Sequence, residues 1–579
     1  MWTKLSRFLR DFRTLAWPYW TSEERWRAYG LAAVVAVLTA AQVQLLVMVN
    51  TWYQQFYDGL QKYDETAFWP LIFKFSWIAG LYIVARIYSV YWRQSLEIGW
   101  RRWLTERYVG DWLEGQSYYR LPLQAAKTDN PDQRIAEDLR LFVKTTLDLT
   151  IDFGGTMGTL VSFSVILWGI SGSWTVPGTS FVIPAYMFWA ALLYAVAGTW
   201  LTHLVGRPLA KLSFAQQRYE ADFRFGLVRV RENAEGIALY RGEADEARRL
   251  SHTFKDVFTN WWALMRRQKK LGALTNSYSQ AAMLFPFIVA APRYFAKEIQ
   301  LGGLMQISNA FRQVQDGLSW IVGAYQDLAG YKATIDRLIS FRHALVKART
   351  EDARAGIEVR TNGVEAVALR SLCLALPDGA ALLRDVELKL ERGERVLVSG
   401  ASGSGKSTFF RAIAGIWPFG SGRIERPDTA RCLFLPQKPY LPIGSLRGAL
   451  SYPAAEGAFP DDVLRAKLEG CALGHLAGRL DESAHWEHRL SPGEQQRVAF
   501  VRALLHQPEW LFMDEASSAL DSDMEGQLYS LLERELPKTT WVSIAHRAAI
   551  ERFHRRRLAI RGDGRLESAP LASAAPAPS

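Results

Sequence analysis

The chain has 579 residues, with 69 Lys+Arg against 58 Asp+Glu, a net charge of +11. That length is too great for one core, and 49% hydrophobic and 13% aromatic residues exclude global disorder. Three cysteines (Cys373, Cys432 and Cys471) without CxxC or Cys/His spacing exclude a disulfide scaffold and read as reduced, structural thiols. A mean hydropathy of −0.06 resembles a soluble protein. However, 18 of the 22 Trp precede residue 340, and Trp favours membrane interfaces, so the two halves must be read separately.

Residues 1–27 hold six basic residues and read as a cytosolic or interfacial segment. A six-span membrane domain follows over 28–340. No charged residue lies between Ala28 and Tyr57, which places span 1 at 29–50. Span 2 falls at 68–91, with Lys74 and Arg86 inside it. From Phe153 to Gly206 there is again no Asp, Glu, Lys or Arg. Gly172, Pro177 and Gly178 divide that stretch into span 3 (153–171) and span 4 (181–205). Spans 5 and 6 read as 271–291 and 302–328, the last being the least apolar.

The connecting segments alternate in charge. Loop 92–152 has nine Lys/Arg and loop 206–270 has 14, whereas the segment between spans 3 and 4 has none. By the positive-inside rule both termini and both long loops are cytoplasmic. The same rule accounts for much of the +11, so no nucleic-acid role is needed. Both long loops are helix-prone and large enough to touch a second domain. In span 6, Asn309, Arg312, Asp316 and Ser319 fall on one helical face. Intramembrane ionisable residues face protein or water, so this face, with Arg86, reads either as a polar substrate cavity or as a structural Arg312–Asp316 pair.

Residues 341–357 read as a linker, 358–565 as a nucleotide-binding domain of alternating strands and helices, and 566–579 as a disordered tail. The strand Val396–Val398 runs into Gly400, Ala401, Ser402, Gly403, Ser404, Gly405, Lys406, Ser407 and Thr408. This is a GxxxxGK[ST] phosphate loop followed by a helix. Lys406 suits the β/γ-phosphates and Ser407 a Mg²⁺ ion. A second strand ends in Asp514 and Glu515, an acid for the metal and an acid to polarise water.

The remaining motifs of this half resemble those of ATP-binding cassettes. Leu490-Ser491-Pro492-Gly493-Glu494 resembles the cassette signature, although Ser491 and Glu494 also form a capping-box pattern. Gln437, 31 residues after Lys406, resembles the Q-loop glutamine and a further Mg²⁺ ligand; Asp521 resembles the D-loop acid and His546 the switch histidine. One departure is that no Phe, Tyr or Trp lies between Val364 and Thr408, where the family keeps an aromatic against adenine; Leu376-Pro377 stands there instead.

In the first half, Asn130-Pro131-Asp132-Gln133-Arg134 and the stretch from Glu220 through Glu235 to Glu243 resemble SbmA/BacA-like membrane domains and the related D-subfamily acyl-CoA transporters. The resemblance implies an exporter-like (type IV) helical membrane domain fused to an α/β P-loop ATPase, with ATP and Mg²⁺ as cofactors. It implies a homodimer whose two cassettes sandwich ATP, each site taking Ser491 from the opposite chain, with Asp132, Gln133, Arg134, Glu235 and Glu243 as coupling residues. It also implies ATP-driven transport of cobalamin-, bleomycin- or peptide-like compounds, as import across a bacterial inner membrane, with no obligatory binding protein. An exporter of lipid or acyl-CoA and an ATP-gated channel or regulator are the alternatives.

Overall fold

The computed structural model describes residues 2–123, 130–175, 182–350, 356–361 and 365–571. Pro177, Gly178 and the tail beyond Leu571 lie outside the described residues. The chain divides into two compact units, one of residues 1–110 and 130–342, the other of residues 111–129 and 343–579.

The first unit is built on long helices: α1 (Trp2–Trp20), α2 (Arg25–Gln61), α3 (Glu65–Leu113), α4 (Leu139–Ile170), α5 (Tyr186–Glu232), a short α6 (Ala234–Tyr240), α7 (Glu243–Phe295) and α8 (Leu301–Thr350). Among the described residues, α2 to α5 are long and apolar enough to cross a membrane by length and composition. Helices α7 and α8 are as long but more polar. Each of α3, α4, α5 and α7 runs well past its apolar stretch, because the flanking sequence is rich in good helix formers, and α5 continues even through Pro208. A two-strand hairpin, β1 (Ser173–Thr175) and β2 (Val182–Pro184), joins α4 to α5.

Much of this unit's apolar surface faces outward: Trp26, Trp77 and Trp200 are 75%, 71% and 63% exposed. That is the surface a bilayer covers. Its own core packs Phe163, Leu167, Met187, Ala191, Ile307 and Phe311 between helices.

The second unit is α/β. A four-stranded sheet has the order β3 (Ile357–Arg360), β7 (Gly420–Glu425), β4 (Val367–Ala375), β5 (Ala381–Leu390). A six-stranded sheet has the order β12 (Leu566–Pro570), β11 (Arg556–Ile560), β6 (Arg395–Gly400), β10 (Thr540–Ile544), β9 (Trp510–Asp514), β8 (Cys432–Leu435). From β11 to β8 every neighbouring pair is parallel, and β12 is an antiparallel edge. Strands β9 and β10 are buried almost throughout, as central parallel strands are. Helices α9 (Lys406–Ile413), α10 (Asp461–Gly470), α11 (Pro492–His506) and α12 (Ser522–Glu535) pack around them.

Two boundaries differ from the sequence reading. Helix α8 runs to Thr350 through what reads as linker, because Leu345 and Ala348 keep a buried helical face. The domain does not end at 565: Leu566–Pro570 is strand β12, folded back on β11 through a turn closed by Gly564 N–H donating to the Arg561 carbonyl at 3.0 Å. The Cys471 thiol is buried, which pushes it up to about 12.

Candidate ATP site and coupling elements

Four of the parallel strands, β6, β10, β9 and β8, lie side by side, and the loop after each carries one candidate motif. In such sheets ligands bind beyond the carboxyl ends of the strands. The topology therefore brings together residues up to 146 positions apart in sequence.

The loop after β6 turns tightly, with Gly403 at φ +79° and Gly405 at φ +92°, conformations that a side chain would strain. Lys406 opens α9 and is buried, and its Nζ donates to the carbonyls of Gly400 (2.9 Å) and Ala401 (3.0 Å). A buried ammonium that has only carbonyl dipoles as partners is poised for an anion. The N-terminus of α9 adds N–H groups and a positive dipole end. Ser402 and Gly403 are exposed on the loop, Ser404 and Ser407 half-buried, and Thr408 buried.

Ser407 Oγ donates to Asp514 Oδ1 at 3.0 Å, joining the first motif to the end of β9. Burial pushes the Asp514 carboxyl up, against the opposing Ser407 hydrogen bond. A hydroxyl beside a half-buried carboxylate is a hard-oxygen set that fits Mg²⁺. Glu515 follows in the left-handed region (φ +48°), rare for a non-glycine residue and a mark of strain held at functional sites. Its N–H donates to the Ile544 carbonyl (3.1 Å), which holds the turn. Gln437 Nε2 donates to Glu515 Oε2 (3.0 Å), and His546 Nε2 lies 3.1 Å from Glu515 Oε1. Glu515 thus stands between the Gln437 amide and the His546 imidazole.

Ser491, Gly493 and Glu494 open α11. Ser491 accepts from the Glu494 N–H (3.3 Å) and Glu494 Oε2 accepts from the Ser491 N–H (2.9 Å), a complete capping box. Asp521 caps α12, accepting from Met524 N–H at 2.8 Å. Buried Gln496, which the sequence reading missed, links the loops: it donates to the Gln437 carbonyl (3.0 Å) and Ser518 Oγ (3.1 Å), and Ala519 N–H donates to its Oε1 (2.8 Å). Its signal was a second glutamine directly inside the signature helix. Near the adenine position, Pro377 is exposed and Leu376 half-buried against the core.

The expected coupling residues divide differently. Arg134 is buried and pairs with Asp138, to which Arg337 donates twice (2.7 and 2.9 Å). Burial raises the Asp138 carboxyl, but the two arginines outweigh it and hold it below the usual range. Gln133 donates to Glu137 (3.2 Å); Asp132, Glu235 and Glu243 are exposed in the first turns of their helices. All five belong to the helical unit. The segment that belongs to the α/β unit comes just before them. Leu121 is buried, Leu123 packs on the cassette core, and Arg120 donates to the Gly415 carbonyl (3.4 Å) behind α9. Tyr119 lies beside Arg411 of α9. No local pattern singled these residues out.

In α8, Asn309 is buried and accepts from Arg312 Nη2 (3.2 Å). Arg312 thus turns to Asn309 rather than pairing with Asp316, which is exposed; Ser319 is half-buried and Arg86 exposed. Asn50 donates to the Gln306 carbonyl (3.1 Å) on the same helix.

Residues 17–295 match the ABC transporter transmembrane region 2 model and residues 383–518 the ABC transporter model. The chain is 37% identical over 565 residues to an uncharacterised ABC transporter ATP-binding protein of Synechocystis sp., covering 95% of this chain and 83% of that one. It is 26% identical to the lysosomal cobalamin transporter ABCD4 of Homo sapiens, covering 97% and 96%. In fold it is similar to a bacterial Atm1-family ABC exporter solved with ATP bound, with a TM-score of 0.71 over 95% of each chain at 19% identity. The chain therefore belongs to the ABC transporters and, being 32% identical to ABC transporter D family member 2 of Arabidopsis thaliana over 96% of this chain and 87% of that one, is a D-subfamily-related half-transporter that fuses one membrane region to one transport-coupled ATPase cassette.

Proposed function

We propose that Glu515 is the residue that activates water for ATP hydrolysis, with His546 and Gln437 positioning it. The observation that carries this reading is the placement of one carboxylate between the Gln437 amide and the His546 ring, at 3.0 and 3.1 Å. Lys406 and the N–H groups from Gly400 to Thr408 hold the phosphates. Ser407, Asp514 and Gln437 would hold Mg²⁺, which when bound neutralises phosphate charge. The carboxylate of Glu515 takes the proton as water attacks.

The signature residues Ser491, Gly493 and Glu494 and the D-loop Asp521 serve the ATP of a second copy, so the working unit is a homodimer. Leu239 and Tyr240 at the α6 tip, 77% and 91% exposed, offer a second copy an apolar contact. Tyr119, Arg120 and Leu123 link loop 92–152 to the P-loop helix and are the coupling elements this reading favours over Asp132, Gln133 and Arg134.

The alternation of basic loops supports a multi-pass protein of the bacterial inner membrane with both termini cytoplasmic. The Asn309–Arg312 face with Asp316 and Ser319 supports a wet central path for hydrophilic or amphipathic cargo. The 26% identity to a lysosomal cobalamin transporter favours cobalamin-like compounds, and the resemblance of stretches 130–134 and 220–243 to SbmA/BacA-like domains favours peptide-like ones and inward movement. Labelled cobalamin and a labelled peptide, offered to right-side-out and inside-out vesicles with ATP, test cargo and direction together. Accumulation of either only in right-side-out vesicles is the expected result. Accumulation only in inside-out vesicles overturns import, and uptake unchanged in Lys406→Ala overturns ATP-driven transport.

A further inference from the structure

Arg547 stands next to His546 in the loop after β10, and its side chain reaches the loop after β9. Its Nη1 donates to the Leu520 carbonyl at 2.5 Å and its Nη2 to the Ser518 carbonyl at 3.3 Å. One planar guanidinium thus brackets two carbonyls of the stretch Ser518–Asp521. A fork of fixed geometry can do this, and a single ammonium cannot.

A buried acid holds that fork from behind. Glu525 of α12 is 2% exposed, and its Oε2 lies 3.5 Å from Arg547 Nη1. Its Oε1 accepts from Ser517 Oγ at 2.5 Å. A carboxylate so deep is costly unless it is paired and hydrogen-bonded. Glu525 therefore fixes the guanidinium on one side while the loop carbonyls hold it on the other.

The far side of the same loop meets the signature turn. Ala519 N–H donates to Gln496 Oε1 of α11 at 2.8 Å. A Cβ placed on Gly493 would stand 3.3 Å from the Ala519 carbonyl oxygen and 3.4 Å from Leu520 Cδ2. Packing that close leaves little slack, so a shift of the loop is felt by the turn. Asp521, at the end of the loop, caps α12. Contacts thus run from the residue beside His546, through Arg547, to Gly493 and Asp521.

We propose that Arg547 is a positioning residue for ATP hydrolysis. It fixes Ser518–Asp521 against the signature turn, so that the switch loop of one chain shapes the surface which that chain offers to the other chain's ATP. Arg547 touches no reacting atom. This role rests on the shared-site homodimer, in which Ser491, Gly493 and Asp521 serve the second copy. Its consequence is that losing Arg547 damages the partner's site rather than the chain's own.

Mixed dimers of the full-length protein, isolated with two affinity tags and held in nanodiscs, test this by the rate of a single turnover of ATP. Glu515→Gln silences the first chain, so the second chain's site alone reports. Arg547→Ala added to the first chain should slow that turnover by about ten- to a hundredfold, the worth of one hydrogen bond to a charged group. The same substitution moved to the second chain should leave it nearly unchanged. Should Arg547→Ala fail to fold, Arg547→Lys, which keeps a charge beside Glu525 but lacks the fork, should show the same asymmetry. Slowing that is equal in the two arrangements, or greater in the second, would overturn the proposal and mark Arg547 as a structural residue. Ser491→Asp in the first chain reports on the shared site itself. Slowing by Ser491→Asp without slowing by Arg547→Ala overturns the role of Arg547 alone, and no slowing by either overturns the shared site as well.

Discussion

In the helical unit Arg134, Asp138 and Arg337 close on one another, and Arg93 closes on Asp148. In the cassette Lys406, Ser407, Asp514, Glu515, Gln437 and His546 face one opening at the end of a parallel sheet. The two units use similar side chains, and topology separates their uses. Helices bring these charges together along their flanks, where they satisfy each other. A parallel sheet lifts its loops to one edge, where charges can serve a ligand. Apolar residues divide in the opposite sense: Trp510 and Trp541 are fully buried in the cassette, whereas Trp26 and Trp77 are mostly exposed in the helical unit.

The sharpest way to break this comparison is at the two carboxylates. Glu515→Gln should lower ATPase by about 10²–10⁴-fold, the worth of a positioned acid–base group, while nucleotide binding measured by fluorescence persists. Wild-type turnover would show that the convergence at the sheet edge is not catalytic. Asp138→Ala removes the carboxylate that buried Arg134 shares with Arg337 and should cost about 3–5 kcal/mol, seen as a lowered midpoint in thermal unfolding of the purified protein. An unchanged midpoint would mean that the triad does not hold the helices.

A third probe lies inside the cassette. His554 is buried, its ring nitrogens 2.9 Å from the Ile550 carbonyl and from Ser543 Oγ, and burial lowers it from 6.5 to about 4. The unfolded chain therefore binds more protons between these values. Stability is full above pH 6.5 and falls as pH drops toward 4, by on the order of 3 kcal/mol at about 1.4 kcal/mol per unit. The opening free energy of β10, from hydrogen exchange corrected for the intrinsic pH dependence of amide exchange, should fall over that window in the wild type and lose that slope in His554→Gln; equal slopes would refute the linkage. The smallest effect belongs to Ser491. Ser491→Ala removes the cap of α11, worth about 1 kcal/mol, whereas Ser491→Asp restores a cap and lacks the serine hydroxyl. If Ser491 contacts the partner's ATP, both variants lose ATPase; if it only caps, Ser491→Asp keeps it.

The candidate ATP-site motifs were legible because each is contiguous and carries its chemistry in a few residues, such as Gly403-Ser404-Gly405-Lys406-Ser407. The long helices were legible from charge-free runs such as Phe153–Gly206. Less was legible where a residue acts through distant partners. Arg134 looked like a coupling residue until Arg337, 203 positions away, was found on the same carboxylate. Gln496 looked like one more polar residue on a signature helix. Arg312 had an i+4 acid within reach and turned to an i−3 amide instead. Strand β12 was hidden because an edge strand needs only one face and one partner, so Leu566–Pro570 carries little apolar signal.

By itself the sequence determined the division into an apolar helical half and an ATPase half, and the contiguous motifs that the second half carries. These follow from solvation and from local backbone chemistry, which act over a few residues at a time. Tertiary structure alone decided that Glu515 stands between Gln437 and His546 and that Tyr119 to Leu123 go with the cassette. Those depend on strand order and helix packing, and no short window of sequence contains both partners of such a contact.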